Sequence, residues 1–177
     1  VGEKLFTVDS ADNLVPNLAR TVVRQADGSW VLTLVSGRHF SDGTPVTAAD
    51  VATGLLRTNS LNNAAQGLGT MTMTPTGDLT LTITTTIATP VMAAVLAEWA
   101  YVVYKSTAAG RVFTGPYAIA SQSASGVHLV PNAHYPNANL RQPIVIQKLA
   151  NGPAVASALA AGEIDMAFNI PAASVAQ

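Results

Sequence analysis

The 177-residue chain is 49% hydrophobic and 11% charged, with 9 Lys and Arg against 10 Asp and Glu for a formal net charge of -1. That length and composition fit one globular domain or a two-part lobe with a sizeable core, and exclude a disordered or fibrous chain. So small a charge supplies no field to gather nucleic acid or an anionic bilayer, and the lack of cysteine excludes disulfides, thiolate metal sites and a cysteine nucleophile while leaving the compartment open.

The chain opens with VGEKLFTVDS, which has no basic stretch leading into an apolar one. Any signal peptide is therefore expected to have been removed or not included. In TVVRQADGSWVLTLV two extended runs flank Asp27-Gly28, a dipeptide that tolerates the positive φ of a tight turn, so the spacing predicts a β-hairpin. Next, GRHFSDGTPVTAADV combines turn residues with a helix start. Asp42, Gly43 and Pro45 read as turn chemistry, and Thr47 with Asp50 three residues on reads as a capping box with Asp in the usual Glu position. Val51, Leu55 and Leu56 then give an apolar face at helical spacing, predicting a helix over about 48–57.

In TMTMTPTGDLTLTITTT, Met71, Met73, Leu79, Leu81 and Ile83 alternate with threonines on both sides of a PTGD turn, which predicts a second hairpin with one oily and one hydroxylated face. TPVMAAVLAEWA reads as the helix that covers it, with Thr89 as N-cap and Pro90 at the first helical position. The apolar run Val91 to Val103 is broken by Glu98 and is too short to cross a bilayer core of about 30 Å.

From Arg111 the pattern is two short strands joined by a Ser/Gly-rich loop, followed by the polar PNANLRQP. PIVIQKL then reads as a strand, GPAVASALAAGE as a helix with Pro153 near its start and Gly162 past its end, and IDMAFNI as another strand. That order predicts a short strand, helix, strand unit with a parallel crossover.

The catalytic motifs are missing. The chain has no GxSxG, no phosphate loop and no paired-histidine metal motif, and GLG at Gly67 to Gly69 lacks the strand and helix that would give it weight. His39, His128 and His134 have no helical i, i+4 pairing and no carboxylate at ligand spacing, so a metal site would have to be assembled by the fold alone, and none is expected. His134 is read as a surface residue.

The order of several blocks carries a resemblance. NLVPNLAR (Asn13 to Arg20), the hairpin ending in Trp30, VLTLVSGRHFSDGTPVTAADV (Val31 to Val51), TGPYAI (Thr114 to Ile119), VPNAHYPN (Val130 to Asn137) and ALAAGEIDMAFNIP (Ala158 to Pro171) stand in the order and rough spacing of one family. The chain resembles the first lobe of the extracellular solute-binding proteins of family 5, which serve bacterial ABC importers for oligopeptides, dipeptides and nickel. It departs from them at Val35 and Ser36, where a basic residue is usual, in the short stretch Leu61 to Gly69, and in length, being about a third of theirs.

The resemblance implies a periplasmic-binding-protein type II lobe of mixed α+β and α/β class: a partial mixed sheet with flanking helices plus a small α+β subdomain. Residues 1–108 would be the peripheral subdomain and 109–177 the central sheet portion, truncated before the second lobe. It further implies capture of a ligand between two lobes and delivery to an ABC permease in the membrane, in a periplasmic or other extracytoplasmic location, with no enzymatic step, no cofactor and no nucleic acid. Peptides are the first ligand expected, because GEIDMAFNIP looks most like the peptide binders, and nickel or a nickel chelate the second. Carried over by position, the ligand-binding residues would be Trp99, Tyr101, Phe168 and Asn169. Aromatic rings offer rigid contact area, and an amide both donates and accepts. By burial statistics alone Trp99, Tyr101 and Phe168 fit core positions as well, and Asn169 a strand-end turn. A reading of another class is an isolated lobe acting only as an interaction or oligomerisation module, its open rim pairing with another copy.

Overall fold

The computed structural model describes residues 1–62 and 66–168. These fall into two compact units, one comprising Val1–Ala118 with Val130–Gln142, the other Ile119–Leu129 with the chain from Pro143 onward.

The first unit is built on a four-stranded antiparallel sheet in the order β3-β4-β6-β5, with β3 at Ala19–Arg24, β4 at Trp30–Leu34, β5 at Met71–Pro75 and β6 at Thr80–Thr85. Both expected hairpins are present. Gly28 turns the first with φ 86, while the Asp27 carboxylate accepts from the Ser29 amide and hydroxyl. Alternation decides the faces: Trp30, Leu32, Leu34, Met71, Met73, Leu81 and Ile83 are buried on one side. On the other side threonines pair across strands, with Thr72 opposite Thr84 and their hydroxyls 2.6 Å apart.

Helix α1, Ala48–Asn62, covers the apolar face. Ala48, Val51, Ala52 and Leu55 lie on its buried stripe, and Thr58 continues that stripe, which carries the helix past the expected end near Arg57. Half of the expected capping box forms: the Asp50 amide donates to Thr47 Oγ1 at 3.1 Å, while the Asp50 carboxylate, rather than reaching the Thr47 backbone amide, accepts from the Thr47 hydroxyl at 2.7 Å.

The second expected helix is corrected to a single turn, α2, Met92–Val95, with Val91 rather than Thr89 at its N-cap. Thr89 Oγ1 instead accepts from the Val91 amide at 3.2 Å, ahead of the helix, so Pro90 is not its first residue. Beyond α2 the backbone tightens to bonds three residues apart, from Ala97 to Ala94 and Glu98 to Val95, and Lys4 Nζ donates to the Ala97 carbonyl. The three-residue bonding continues with the Tyr101 amide donating to the Glu98 carbonyl, so the chain leaves α2 through turns rather than further helix. Two strand pairs not anticipated from the sequence complete the unit: β1 (Phe6–Val8) with β2 (Leu14–Pro16), and β7 (Tyr104–Thr107) with β8 (Gly110–Phe113).

The second unit's sheet has the order β11-β10-β9, from β9 at Tyr117–Ser123, β10 at Gly126–Pro131 and β11 at Ile144–Gln147. Helix α3, Gly152–Ala160, follows, with the Asn151 side chain accepting from the Ala154 amide at 2.9 Å and Pro153 in its first turn. The α and β mixture matches the expected class, but the parallel crossover is corrected. β11 pairs antiparallel with β10, and of the expected strand Ile164 to Ile170, residues 164–168 form none while 169–170 lie outside the described residues. An apolar alternation becomes a strand only against a partner's free edge, and among the described residues nothing pairs with this one.

Candidate functional site

Trp99 lies in the turns after α2 with 80% of its surface exposed. Two residues on, Tyr101 is fully buried, and its hydroxyl donates to Asn59 Oδ1 of α1 at 3.1 Å. Burial pushes the Tyr101 hydroxyl pKa up, so it remains a protonated donor. Backbone bonds from Val103 to the Glu3 carbonyl and from Tyr101 to the Glu98 carbonyl fix the same segment. The indole is therefore presented from a pinned turn, whereas Tyr101 faces inward and shares no surface with it. Phe168, in the other unit, is 80% exposed, and Asn169 lies outside the described residues.

The block GRHFSDGTP is a closed loop. Phe40 donates to the Thr44 carbonyl, Gly43 turns it with φ 84, and Asp42 Oδ1 accepts from both the Thr44 amide (2.9 Å) and hydroxyl (2.7 Å). Lys105 Nζ reaches Thr44 Oγ1 at 3.4 Å and Asp50 Oδ1 at 3.8 Å. Some desolvation raises the Asp42 pKa, but the two Thr44 bonds and the Lys105 charge outweigh it and hold the carboxyl below its usual range. Both carboxylates are thus occupied in shaping the loop and starting α1.

This block and VPNAHYPN converge on Glu3 near the start of the chain. Arg38 Nη2 donates to Glu3 Oε1 and Oε2 at 2.6 and 2.7 Å, and the Tyr135 hydroxyl reaches Glu3 Oε1 at 3.4 Å. The guanidiniums of Arg38 and Arg141 lie 5.7 and 5.0 Å from the Tyr135 ring centre. The same convergence sets the rings of His39 and His134 6.2 Å apart, a pairing that no sequence spacing signalled. Among the described residues no group of three or more His, Cys, Asp or Glu could hold a metal ion, and no helix is long and apolar enough to cross a membrane.

In the second unit a groove of about 380 Å³ runs over the β9–β11 sheet, lined by serines 121, 123 and 125 together with His128, Gln147 and Lys148. β11, which forms part of its wall, is exposed on both faces, with Ile144, Val145 and Ile146 all open.

No curated relative matches the chain. Among solved structures it is similar to a nickel ABC transporter protein from Bacillus halodurans, with TM-score 0.84 and 22% identity over 99% of this chain and 38% of that one. It is similar to NikA from Staphylococcus aureus, solved with Ni(L-His)2, with TM-score 0.77 and 20% identity over 92% of this chain and 36% of that one. It is also similar to OppA of Burkholderia pseudomallei, with TM-score 0.76 and 18% identity over 100% of this chain and 42% of that one. At these identities the likeness is one of fold, and the chain spans about two fifths of the length of each structure. The profile described as bacterial extracellular solute-binding proteins, family 5 Middle, matches residues 13–177. The chain belongs to that family of bacterial extracellular solute-binding proteins.

Proposed function

We propose that the chain forms part of the first lobe of a substrate-binding component of an ABC import system, which works outside the cytoplasm, takes up peptides between two lobes and passes them to a membrane permease. It grips its ligand and does not transform it. The observation that carries this reading is the 80% exposed indole of Trp99 on a turn anchored by the buried Tyr101. The pinned backbone of Trp99 leaves the ring open to a partner at little ordering cost, and a rigid aromatic platform with a polar edge is a common means of gripping a ligand of variable sequence. Tyr101 acts by holding that platform in place. Phe168, equally exposed, and Asn169 belong to the same reading as contacts from the central part of the lobe.

The likeness to OppA supports peptides as the ligand class. A nickel chelate is the second reading, favoured by the TM-score of 0.84 to a protein described as a nickel ABC transporter. Tryptophan emission tests both. Trp30 is buried at 8% exposure, so a Trp30→Phe variant leaves Trp99 as the reporter. Di- to pentapeptides are expected to shift its emission and a nickel-histidine chelate to leave it unchanged. The converse favours the second reading, and no response to either sinks Trp99 as a contact.

A further inference from the structure

We propose that His39 and His134 form a surface site for a single borderline divalent cation of the Cu2+, Ni2+ or Zn2+ class. Their ring centres are 6.2 Å apart with planes inclined by 37°. Two imidazoles bound to one ion through nitrogens at about 2.0–2.1 Å place their ring centres roughly 4.5 Å apart at a right angle and about 6.4 Å apart when the nitrogens lie opposite each other. The observed spacing lies near the wide end of that range, so the two imidazoles would act as near-trans ligands once side-chain rotation aims one nitrogen of each at the ion. Both residues are exposed, and neither ring nitrogen is engaged in a hydrogen bond among the described residues.

Both positions are fixed from beneath. Asn132, only 1% exposed, accepts from the His134 amide at 3.0 Å while its Nδ2 donates to the Gly115 carbonyl at 2.9 Å. His39 is held by its bridge to Pro45 and by the fully buried Phe40 beside it. A Cβ at residue 43 would lie 3.0 Å from His134 Cε1 and Nε2, so the glycine there leaves the ring its room. Pinned backbones carrying free imidazoles lower the ordering cost of chelation. Against a cation stand the charges of Arg38, Lys105 and Arg141. Glu3 neutralises the first and Asp50 partly offsets the second, leaving Arg141 on the Tyr135 ring as the main opposing charge. Water would fill the remaining coordination positions, as it does in open catalytic metal sites. This site is independent of the ligand reading above and lies in one compact unit.

Cu2+ alone is the probe, since among these ions it binds nitrogen ligands most strongly. With the chelator-free chain, electron paramagnetic resonance is expected to show one equivalent of bound Cu2+ with superhyperfine splitting from two imidazole nitrogens. His39→Ala and His134→Ala should each reduce the pattern to one nitrogen and weaken binding about 10-fold or more, while His128→Ala, in the other unit, leaves both unchanged. Far-UV circular dichroism checks that each variant is folded, and His→Gln replaces His→Ala if one is not. A wild-type signal with fewer than two nitrogens, affinity indifferent to both substitutions, or loss of binding with His128→Ala overturns the proposal.

Discussion

The Tyr101 hydroxyl donates to Asn59 Oδ1 at 3.1 Å, tying the turns that carry Trp99 to the last turns of α1. This bond and the buried ring do different things. Tyr101→Phe removes only the bond and should cost about 1 kcal/mol, whereas Tyr101→Ala also opens a cavity and should cost about 3–5 kcal/mol. Urea unfolding of the two variants separates these terms. Equal losses would mean that the ring is not packed as described.

Gly54 lies in α1 where the helix meets β7. A Cβ there would stand 2.6 Å from the Tyr104 carbonyl oxygen, a backbone atom that cannot rotate away. Helix propensity alone predicts that Gly54→Ala gains about 1 kcal/mol. The contact should win, because overpacking costs about 1–3 kcal/mol. Thermal unfolding should show net destabilisation, and a raised Tm would show that α1 and β7 are further apart.

The Thr47 hydroxyl bridges the Asp50 amide and carboxylate at the start of α1. Thr47→Ala should therefore cost about 1 kcal/mol. Thr47→Ser keeps the hydroxyl and should recover most of it in the same unfolding assay.

Asp42 sets a pH dependence whose sign is fixed. Its folded pKa lies below the unfolded value, so the stability it contributes is present above the unfolded pKa of about 3.9 and is lost as pH falls through the folded one. Stability measured from pH 6 downward should fall off below about pH 4, and Asp42→Asn should flatten that decline. An unaltered slope in the variant would assign the decline to other carboxylates.

The open strand β11 makes a prediction about solution behaviour. Ile144, Val145 and Ile146 are 40%, 61% and 52% exposed at a sheet edge, and an uncharged apolar edge invites pairing with another chain. Sedimentation of the chain alone should show concentration-dependent association, which Val145→Lys suppresses. A monomer at all concentrations would remove the oligomerisation reading.

What the sequence disclosed follows from the range of each signal. The hairpins around Asp27-Gly28 and PTGD, the Thr47–Asp50 helix start and α3 between Pro153 and Gly162 are set by residues within a few positions of one another, and periodicity with turn and cap chemistry finds them; the Asn151 cap of α3 emerges only in the structure. The helix around Met92 is shorter than its apolar pattern predicts: the backbone shifts to three-residue bonds at Ala97 and Glu98, and the turns that follow are held by Lys4 and the Glu3 carbonyl, distant in sequence. Alternation over Ile164 to Ile170 predicts a strand but cannot say whether an edge receives it; residues 164–168 form none, and 169–170 lie outside the described residues. Trp99 and Tyr101, two residues apart and equally aromatic, could not be told apart until Asn59 claimed the second. The His39–His134 pair depends on Asn132 and Gly43, and no local spacing announces it.

The central claim is that Trp99 presents half of a peptide-gripping cleft, and calorimetric titration of the chain with di- to pentapeptides tests it most directly. A micromolar ligand corresponds to about 8 kcal/mol, so a lobe supplying half retains around 4. The account predicts dissociation constants near the millimolar range that Trp99→Ala weakens further. Micromolar binding to this chain, or binding indifferent to Trp99→Ala, would contradict it.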